Sequence, residues 1–267
     1  ETVRNKLKSW FAEAAEDAIS ELAEKGREFT CVCQRVVQGV IRVAHMMVEL
    51  GEVEQVERGK RLAQTWYRRI VQSGCAHIPQ AAAILARVGY ACMKQFDAVG
   101  AYAHLERAFH IRQATATMET EEGALLQHWR GWLHAVHGDL ASALVMLQDA
   151  LRIASSTADG GFRQGYILIL SKVSLVQLAL GEHEAARESM AKFRASMDPL
   201  TMTSSLCPAI GKIMIAYVLA KFGDLDEAMR WVIEAAKTLD NIGASDVQVG
   251  ACCYVVMGYI HAERGDL

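Results

Sequence analysis

The residues with the clearest potential for chemistry are three neighbouring histidines, His128, His134 and His137. The last two are three residues apart, which on one helix is the spacing of a pair of metal ligands. No carboxylate accompanies them within the same helical turn, and Gly138 directly follows His137. A histidine in the last turn of a helix also stabilises the negative end of the helix dipole. We therefore predict no metal site and no cofactor.

Enzyme motifs are missing from the full sequence. Gly59-Lys60 and Gly211-Lys212 lack the glycine spacing and the hydroxyl of a phosphate-binding loop. The sequence contains no Gly-x-Ser-x-Gly elbow, no His-Glu-x-x-His pair and no Cys-x-x-Cys pair. We predict that the chain is not an enzyme.

Two clusters of charged residues have structural explanations. The acids Glu119, Glu121 and Glu122 open a predicted helix, where negative charge is favourable. A basic set is predicted to form a solvated helix face, and the alternative is a contact patch for an acidic partner or for the parent chain. Its members are Arg58, Lys60, Arg61, Arg68 and Arg69.

The composition indicates a buried apolar core and a reducing compartment. Hydrophobic residues make up 52% of the chain, the formal net charge is −3, and no apolar run is long enough to span a membrane. We therefore predict neither nucleic-acid nor membrane binding. The pairs Cys31-x-Cys33 and Cys252-Cys253 are predicted to be packing residues, as suits a cytoplasmic protein.

A short turn recurs at intervals of 42–43 residues, around Gly138, Gly181, Gly223 and Gly265. Phe96-Asp97 is a degenerate copy, and an earlier one contains Gly51. Glycine accepts the left-handed backbone that ends a helix, and the acid that follows favours the positive end of the next helix. The pattern therefore predicts tight links between antiparallel helices.

Small residues keep the same interval on both sides of the turn. Seven residues before it lie Gly89, Gly131, Ser174, Ala216 and Gly258, and five residues after it lie Ala101, Ala143, Ala186 and Ala228. A small side chain at both places lets two helix backbones approach closely. We predict that these residues set the contact between paired helices.

These positions resemble the signature of the tetratricopeptide repeat family, from about Phe29 to the end of the chain. Gly131 and Gly258 match the glycine of helix A, and Ala143 and Ala228 match the alanine of helix B. The period exceeds the family's usual value of about 34 residues, and the closing proline is missing. The repeats resemble the longer ones of kinesin light chains and of the sensor domains of maltose-regulon-type transcription activators. The resemblance implies an all-α, right-handed superhelical solenoid of antiparallel helix pairs.

The helical patterns predict one domain over residues 1–267, expected to be a fragment of a longer protein. It comprises an N-terminal helix in 1–28, repeats at about 29–78, 79–118, 119–160, 161–204 and 205–243, and a truncated copy at 244–267. The predicted helices span about 3–25, 29–50, 52–73, 79–95, 97–116, 119–137, 139–156, 161–180, 182–197, 205–222, 224–241 and 244–264.

A stripe of large residues directly follows the small position of helix A: Tyr90, Trp132, Leu175, Tyr217 and Tyr259. In the tetratricopeptide pattern this position tends to face the concave groove where partners bind, and His128 lies on the same face. Tyrosine and tryptophan are typical of binding hot spots. The alternative is that the longer helices rotate the stripe into the core.

The leading functional prediction is a non-catalytic protein-interaction or regulatory scaffold with an apolar, aromatic-lined groove. Only Asn5 and Asn241 are available for the asparagine contacts typical of peptide-binding kinesin light chains, and no Lys/Arg clamp that would hold a C-terminal carboxylate is expected in the groove. An amphipathic helix or a neighbouring domain of the parent chain therefore fits better than an extended peptide. The alternative is an effector-sensing domain of a large transcription activator or signalling ATPase, binding a small inducer or an inhibitory protein.

Overall fold

The computed structural model describes residues 31–50, 52–156, 162–197, 206–245 and 248–266. These residues form helices joined by short turns and contain no β-strand, which confirms the predicted all-α class. The helix predicted at about residues 3–25 and the turn glycine Gly51 lie outside the described residues.

The described helices agree with the predicted boundaries to within a few residues. They are α1 (Cys31–Leu50), α2 (Val53–Gln72), α3 (Pro79–Lys94), α4 (Ala98–Ala114), α5 (Glu121–Val136), α6 (Leu140–Ser156), α7 (Arg163–Ala179), α8 (His183–Ser196), α9 (Leu206–Lys221), α10 (Leu225–Ile242) and α11 (Gln248–Arg264). Odd-numbered helices are the A helices of the repeats, and even-numbered helices are the B helices.

The repeat glycines adopt the left-handed backbone that was predicted for them. Their φ angles are 87° at Gly138, 79° at Gly181, 86° at Gly223 and 76° at Gly265. At Gly223 the turn closes when the next N–H, that of Asp224, donates to the carbonyl of Leu219 at 3.0 Å. This pairing satisfies a carbonyl that the end of a helix otherwise leaves without a partner.

The degenerate copy of the turn forms without glycine. Phe96 has a φ of 59°, and the N–H of Asp97 donates to the carbonyl of Cys92 at 2.9 Å, as in the glycine turns. The carboxylate of Asp97 then accepts from the N–H of Gly100 at 2.9 Å and caps α4. The stabilising role predicted for the acid after the turn is confirmed at this position.

The chain divides into two compact units, Glu1–Leu133 and His134–Leu267. In unit 1, α3 packs against α1, α2 and α4. In unit 2, α9 packs against α7, α10 and α11, and α7 also packs against α6 and α8. Within each unit, an A helix therefore contacts the next A helix as well as neighbouring B helices.

The central helix of each unit is buried on nearly all sides. In unit 1 every residue of α3 from Ala81 to Gly89 is buried, and in unit 2 most of α9 from Pro208 to Ala220 is buried. A helix that is apolar around its whole circumference requires neighbours on every side. Arg87 of α3 and Lys212 of α9 are consequently placed inside the protein.

Candidate binding surfaces

The predicted stripe residues Tyr90, Trp132, Leu175, Tyr217 and Tyr259 are all half-buried. Each therefore combines contact with the core and contact with solvent. His128 differs, because only 2% of it is exposed. A side chain buried to that extent cannot contact a partner, so its assignment to the binding surface was wrong.

In unit 1 the stripe begins with a cluster of rings around Tyr90. Its ring stacks on Trp129, with centroids 4.7 Å apart and planes 8° apart, and its hydroxyl donates to Glu49 at 2.7 Å. His45 lies about 6 Å from both rings, at 6.0 Å from Tyr90 and 5.9 Å from Trp129. These contacts fix the orientation of the half-buried Tyr90 ring.

An ion pair that the sequence analysis missed lies behind this cluster. Arg87 on α3 is 3% exposed and donates from both terminal nitrogens to the two carboxylate oxygens of Glu122, each at 2.8 Å. Its guanidinium also lies 5.0 Å from the centroid of the Trp129 ring. The sequence does contain a signal for a buried ion pair, because Arg87 is the only charged residue of the apolar helix α3 before Lys94. Glu122 was assigned to the helix dipole, but its main role is to bind Arg87.

The ion pair changes the titration of its surroundings. Burial raises the pKa of Glu122, but the nearby charge and hydrogen bonds of Arg87, with Arg112, outweigh burial and hold that pKa below its usual value. The pKa of His45 is also lowered. Burial and the charge of Arg87 lower the pKa of His45, against a smaller opposing effect of Glu49. Both groups are therefore shifted toward their deprotonated forms.

In unit 2 two stripe residues from successive repeats meet directly. The rings of Tyr217 on α9 and Tyr259 on α11 have centroids 5.6 Å apart. The ammonium of Lys221 lies 5.4 Å from the Tyr217 ring and 4.4 Å from the Tyr259 ring. In unit 1, Lys94 lies 5.5 Å from Tyr90 in the equivalent arrangement. In both units a lysine therefore accompanies a tyrosine of the stripe.

The small residues are mostly buried where two helices meet. Ala143, Ala186, Ala216 and Ala228 have no exposed surface, and Gly89 and Gly131 are buried. A methyl group at Gly89 would lie 2.7 Å from the Cγ of Leu105 on α4, which is too close for a real contact.

Gly258 does not make the close contact predicted for it. It is exposed, and a methyl group there would meet nothing within 4 Å. A close approach requires a following helix, and the described residues contain none after α11.

The other chemical candidates have ordinary environments. Burial and the adjacent Cys252 raise the pKa of the Cys253 thiol to about 11, whereas Cys252 is exposed, so only one of this pair is a packing residue. His134 lies 2.9 Å from the Asp139 carboxylate. Across the described ranges no three His, Cys, Asp or Glu residues are arranged to hold a metal ion.

The basic set on α2 is only partly a solvated face. Arg61 and Arg68 are exposed, but Lys60 is half-buried and donates to the Gln95 side chain at 2.7 Å.

Within the described part of the chain, no helix is both long enough and apolar enough to cross a bilayer.

Comparison with known proteins identifies the fold. No family model matches the sequence, and no curated protein matches it. Solved structures do match. A Podosopora anserina protein described as a kinesin light chain with nearly identical TPR-like repeats is 15% identical, with a TM-score of 0.56 over 76% of this chain and 96% of that one.

Two further structures match with similar scores. BtubC (BKLC) from P. vanneervenii is 14% identical, with a TM-score of 0.54 over 80% of this chain and 84% of that one. The apo form of RapI is 14% identical, with a TM-score of 0.53 over 96% of this chain and 92% of that one. The chain therefore has the fold of the TPR-like helical-repeat solenoids.

Proposed function

We propose that this chain is a non-catalytic protein-interaction module and that the stripe residues form a binding surface within each unit. The observation that carries the proposal is the contact between Tyr217 and Tyr259. They occupy the same position in successive repeats, their ring centroids are 5.6 Å apart, and both are half-buried. These two equivalent side chains of neighbouring A helices thus form one aromatic surface within unit 2.

The surface favours a helical partner with apolar and acidic residues. The tyrosine rings provide apolar area and a hydroxyl, and Leu175 extends the apolar area within unit 2. In unit 2, Lys221 beside the two tyrosines can pair with a carboxylate at the edge of such a partner, and in unit 1 Lys94 beside Tyr90 offers the same kind of pairing. We propose an amphipathic helix, supplied by another protein or by a neighbouring domain of the parent chain.

The second candidate function is sensing of a small effector or an inhibitory protein. The observation that favours a small effector is a cavity in unit 1, lined by residues that include Tyr67 and His104, away from the stripe. On this proposal, the function of the chain would be to bind a small ligand in unit 1.

Crosslinking from two positions of α11 tests the proposed surface. A photoreactive phenylalanine replaces Tyr259 in one variant and Tyr254, which is 69% exposed and outside the stripe, in the other. We expect the variant at 259 to crosslink one defined protein, and the control at 254 to give no such product. Addition of Tyr217→Ala should abolish the crosslink at 259. Equal crosslinking from both positions would contradict the proposal.

The affinity of the crosslinked protein then provides a quantitative test. Tyr259→Ala should weaken binding by about 2 kcal/mol, which is roughly thirtyfold in the dissociation constant, because truncation of a hot-spot aromatic has this effect. Tyr254→Ala should leave the affinity unchanged. Isothermal titration calorimetry of the three proteins measures the difference.

A thermal melt of Trp132→Ala distinguishes a surface from a core residue. If Trp132 belongs to the groove, the variant should retain the wild-type melting temperature while losing partner affinity. If it belongs to the core, the variant should lose about 3–5 kcal/mol of stability. The second result would remove Trp132 from the proposed surface.

A further inference from the structure

The helix α11 has an apolar face that no other described helix covers. Its inner side contains Cys253, Val256 and Ile260, which belong to the core of unit 2. The opposite side is exposed, and we call it the α11 outer face: Ala251, Tyr254, Val255, Gly258 and Ala262. Residues three and four apart are neighbours on a helix, so these five form one continuous surface. None of them belongs to the stripe.

The equivalent positions of the central A helices are covered by other helices. Counted from Gly89 in α3 and from Ala216 in α9, most of these positions are buried: Ala82, Leu85, Ala86 and Gly89 in α3, and Ala209, Lys212, Ile213, Ala216 and Ala220 in α9. Within the repeats, this side of an A helix is therefore a helix-packing surface.

The contact between α3 and α4 shows which kind of helix fits such a surface. These two helices are joined by the short turn at Phe96 and are therefore antiparallel. A methyl group at Gly89 would lie 2.7 Å from the Cγ of Leu105, so a large side chain of α4 fills the space above the glycine. A helix that covers the α11 outer face needs a large apolar residue opposite Gly258.

The α11 outer face itself carries both halves of this contact. If two copies of α11 lie antiparallel, Tyr254 of one copy is opposite Gly258 of the other, and Ala251 is opposite Ala262. Both pairs are centred at the level of Val256, so one arrangement produces all of these contacts twice. A two-fold symmetric interface requires this self-complementarity.

The charge distribution of α11 also permits contact between two copies. Residues 248–260 contain no Asp, Glu, Lys or Arg. Tyr254 is 69% exposed and Val255 is 71% exposed, so the centre of the face presents apolar area to solvent. Burial of this area against a second copy removes it from water without desolvating a charge.

We propose that the α11 outer face is the interface of a symmetric, antiparallel dimer of this chain. The helix has 17 residues and is about 25 Å long. One helix face of this length buries less than the roughly 800 Å² per partner of a standard interface, so the dissociation constant is on the order of 10–100 µM. The dimer uses no residue of the stripe and does not depend on the binding function proposed for it.

Sedimentation velocity of the intact chain tests whether the dimer forms. Measurements from about 5 µM to about 500 µM should show a monomer at the low end and a dimer at the high end, because this range spans the expected dissociation constant. A monomer at every concentration would overturn the proposal. Continued growth beyond the dimer would also overturn it, because a two-fold contact closes after two copies.

Substitutions on the outer face assign the dimer to this surface. Val255→Lys should weaken dimerisation by about tenfold or more, because it places two like charges in an apolar contact. Val145→Lys is the matched control, since Val145 is 67% exposed on α6 of unit 2 and lies outside the face. Its dissociation constant should equal that of the wild type.

Gly258→Ala separates association from folding. The added methyl group meets nothing in the monomer, so the melting temperature of the dilute protein should not fall. The same methyl group fills the space needed by Tyr254 of the second copy, so dimerisation should weaken by about tenfold. Unchanged dimerisation in both Val255→Lys and Gly258→Ala would refute the assignment.

Disulfide trapping tests the antiparallel orientation. Cys252→Ser provides the background, because Cys252 is exposed. With both Ala251→Cys and Ala262→Cys, a covalent dimer should form on oxidation. Ala251→Cys alone should give none, because the two copies of residue 251 are separated by about 16 Å along the helix axis. The opposite result would contradict the proposed arrangement.

Photocrosslinking identifies the molecule that covers the face. A photoreactive phenylalanine in place of Tyr254 should link two copies of this chain, a product distinct from the one expected at position 259. A crosslink from position 254 to a different protein alone would show that another partner occupies the α11 outer face, and would overturn the proposal.

Discussion

At the scale of single residues, Arg87 determines much of the character of unit 1. A buried arginine is tolerated only when its charge is paired, and Glu122 pairs the charge of Arg87 through two hydrogen bonds of 2.8 Å. The guanidinium also lies beside Trp129, which stacks on the ring of Tyr90. The pair thereby holds the first ring of the proposed binding surface in place.

His45 should make the stability of the protein depend on pH. Because burial and the charge of Arg87 lower its pKa in the folded state, the folded protein binds a proton there less readily than the unfolded chain. The stabilising effect is complete above the unfolded pKa of about 6.5 and is lost as the pH falls through the lower folded pKa. Glu49, Glu122 and Lys94 are the other charged groups that act on the ring.

The measurement is the melting temperature of the wild type and of His45→Gln at several pH values between 7 and 5. We expect the wild type to lose stability over this range and the variant to lose less. His110→Gln, at an exposed histidine of α4, is the control and should follow the wild type. Parallel curves for His45→Gln and the wild type would contradict the prediction.

At the scale of elements, the turn at Phe96 has a strained backbone. A residue with a Cβ atom in the left-handed region costs about 1–2 kcal/mol, whereas glycine adopts it without this cost. Phe96 has a φ of 59° and is 83% exposed, so its ring contributes little packing. Phe96→Gly should therefore stabilise the protein by about 0.5–1 kcal/mol, after the greater entropy of glycine in the unfolded chain is subtracted.

The reverse substitution at an equivalent turn is the control for Phe96. Gly223 has a φ of 86°, so Gly223→Ala should destabilise the protein by about 1 kcal/mol. Urea unfolding of both variants measures the two effects. A stability decrease in Phe96→Gly would show that the exposed ring makes a contact that matters more than the backbone strain.

Two glycines at the same position of the repeat should respond oppositely to alanine. At Gly89 a methyl group would lie 2.7 Å from the buried Leu105, so Gly89→Ala should destabilise the protein by about 1–3 kcal/mol. At Gly258 nothing lies within 4 Å, so Gly258→Ala should stabilise α11 by about 1 kcal/mol through its higher helix propensity. If both variants lost stability equally in urea unfolding, the assignment of close packing to Gly89 alone would be wrong.

At the scale of the whole molecule, helical-repeat architecture predicts local rather than global responses to mutation. Each repeat contacts mainly its neighbours, so a defect is felt most strongly nearby. Gly89→Ala should therefore reduce the hydrogen-exchange protection of α3 and α4 in unit 1 by more than that of α9 and α10 in unit 2. An equal loss of protection in both units would indicate a single cooperative structure.

The sequence by itself determined the helices, the turns between them and the repeat interval. These features depend on neighbours in the chain: a left-handed glycine such as Gly181, an acid beside it, and apolar residues at helical spacing. Even the degenerate copy at Phe96 forms the turn predicted for it. Local rules sufficed because a helix end satisfies its backbone groups within a few residues.

The tertiary structure alone decided which side chains meet and which face solvent. Arg87 pairs with Glu122, which is 35 residues away, and His128 is buried although it lies on the predicted binding face. Gly258 has the same position in the repeat as Gly89, yet a methyl group there would meet nothing within 4 Å. The rotation of each helix about its own axis determines these outcomes, and that rotation is set by packing against helices that are distant in the sequence.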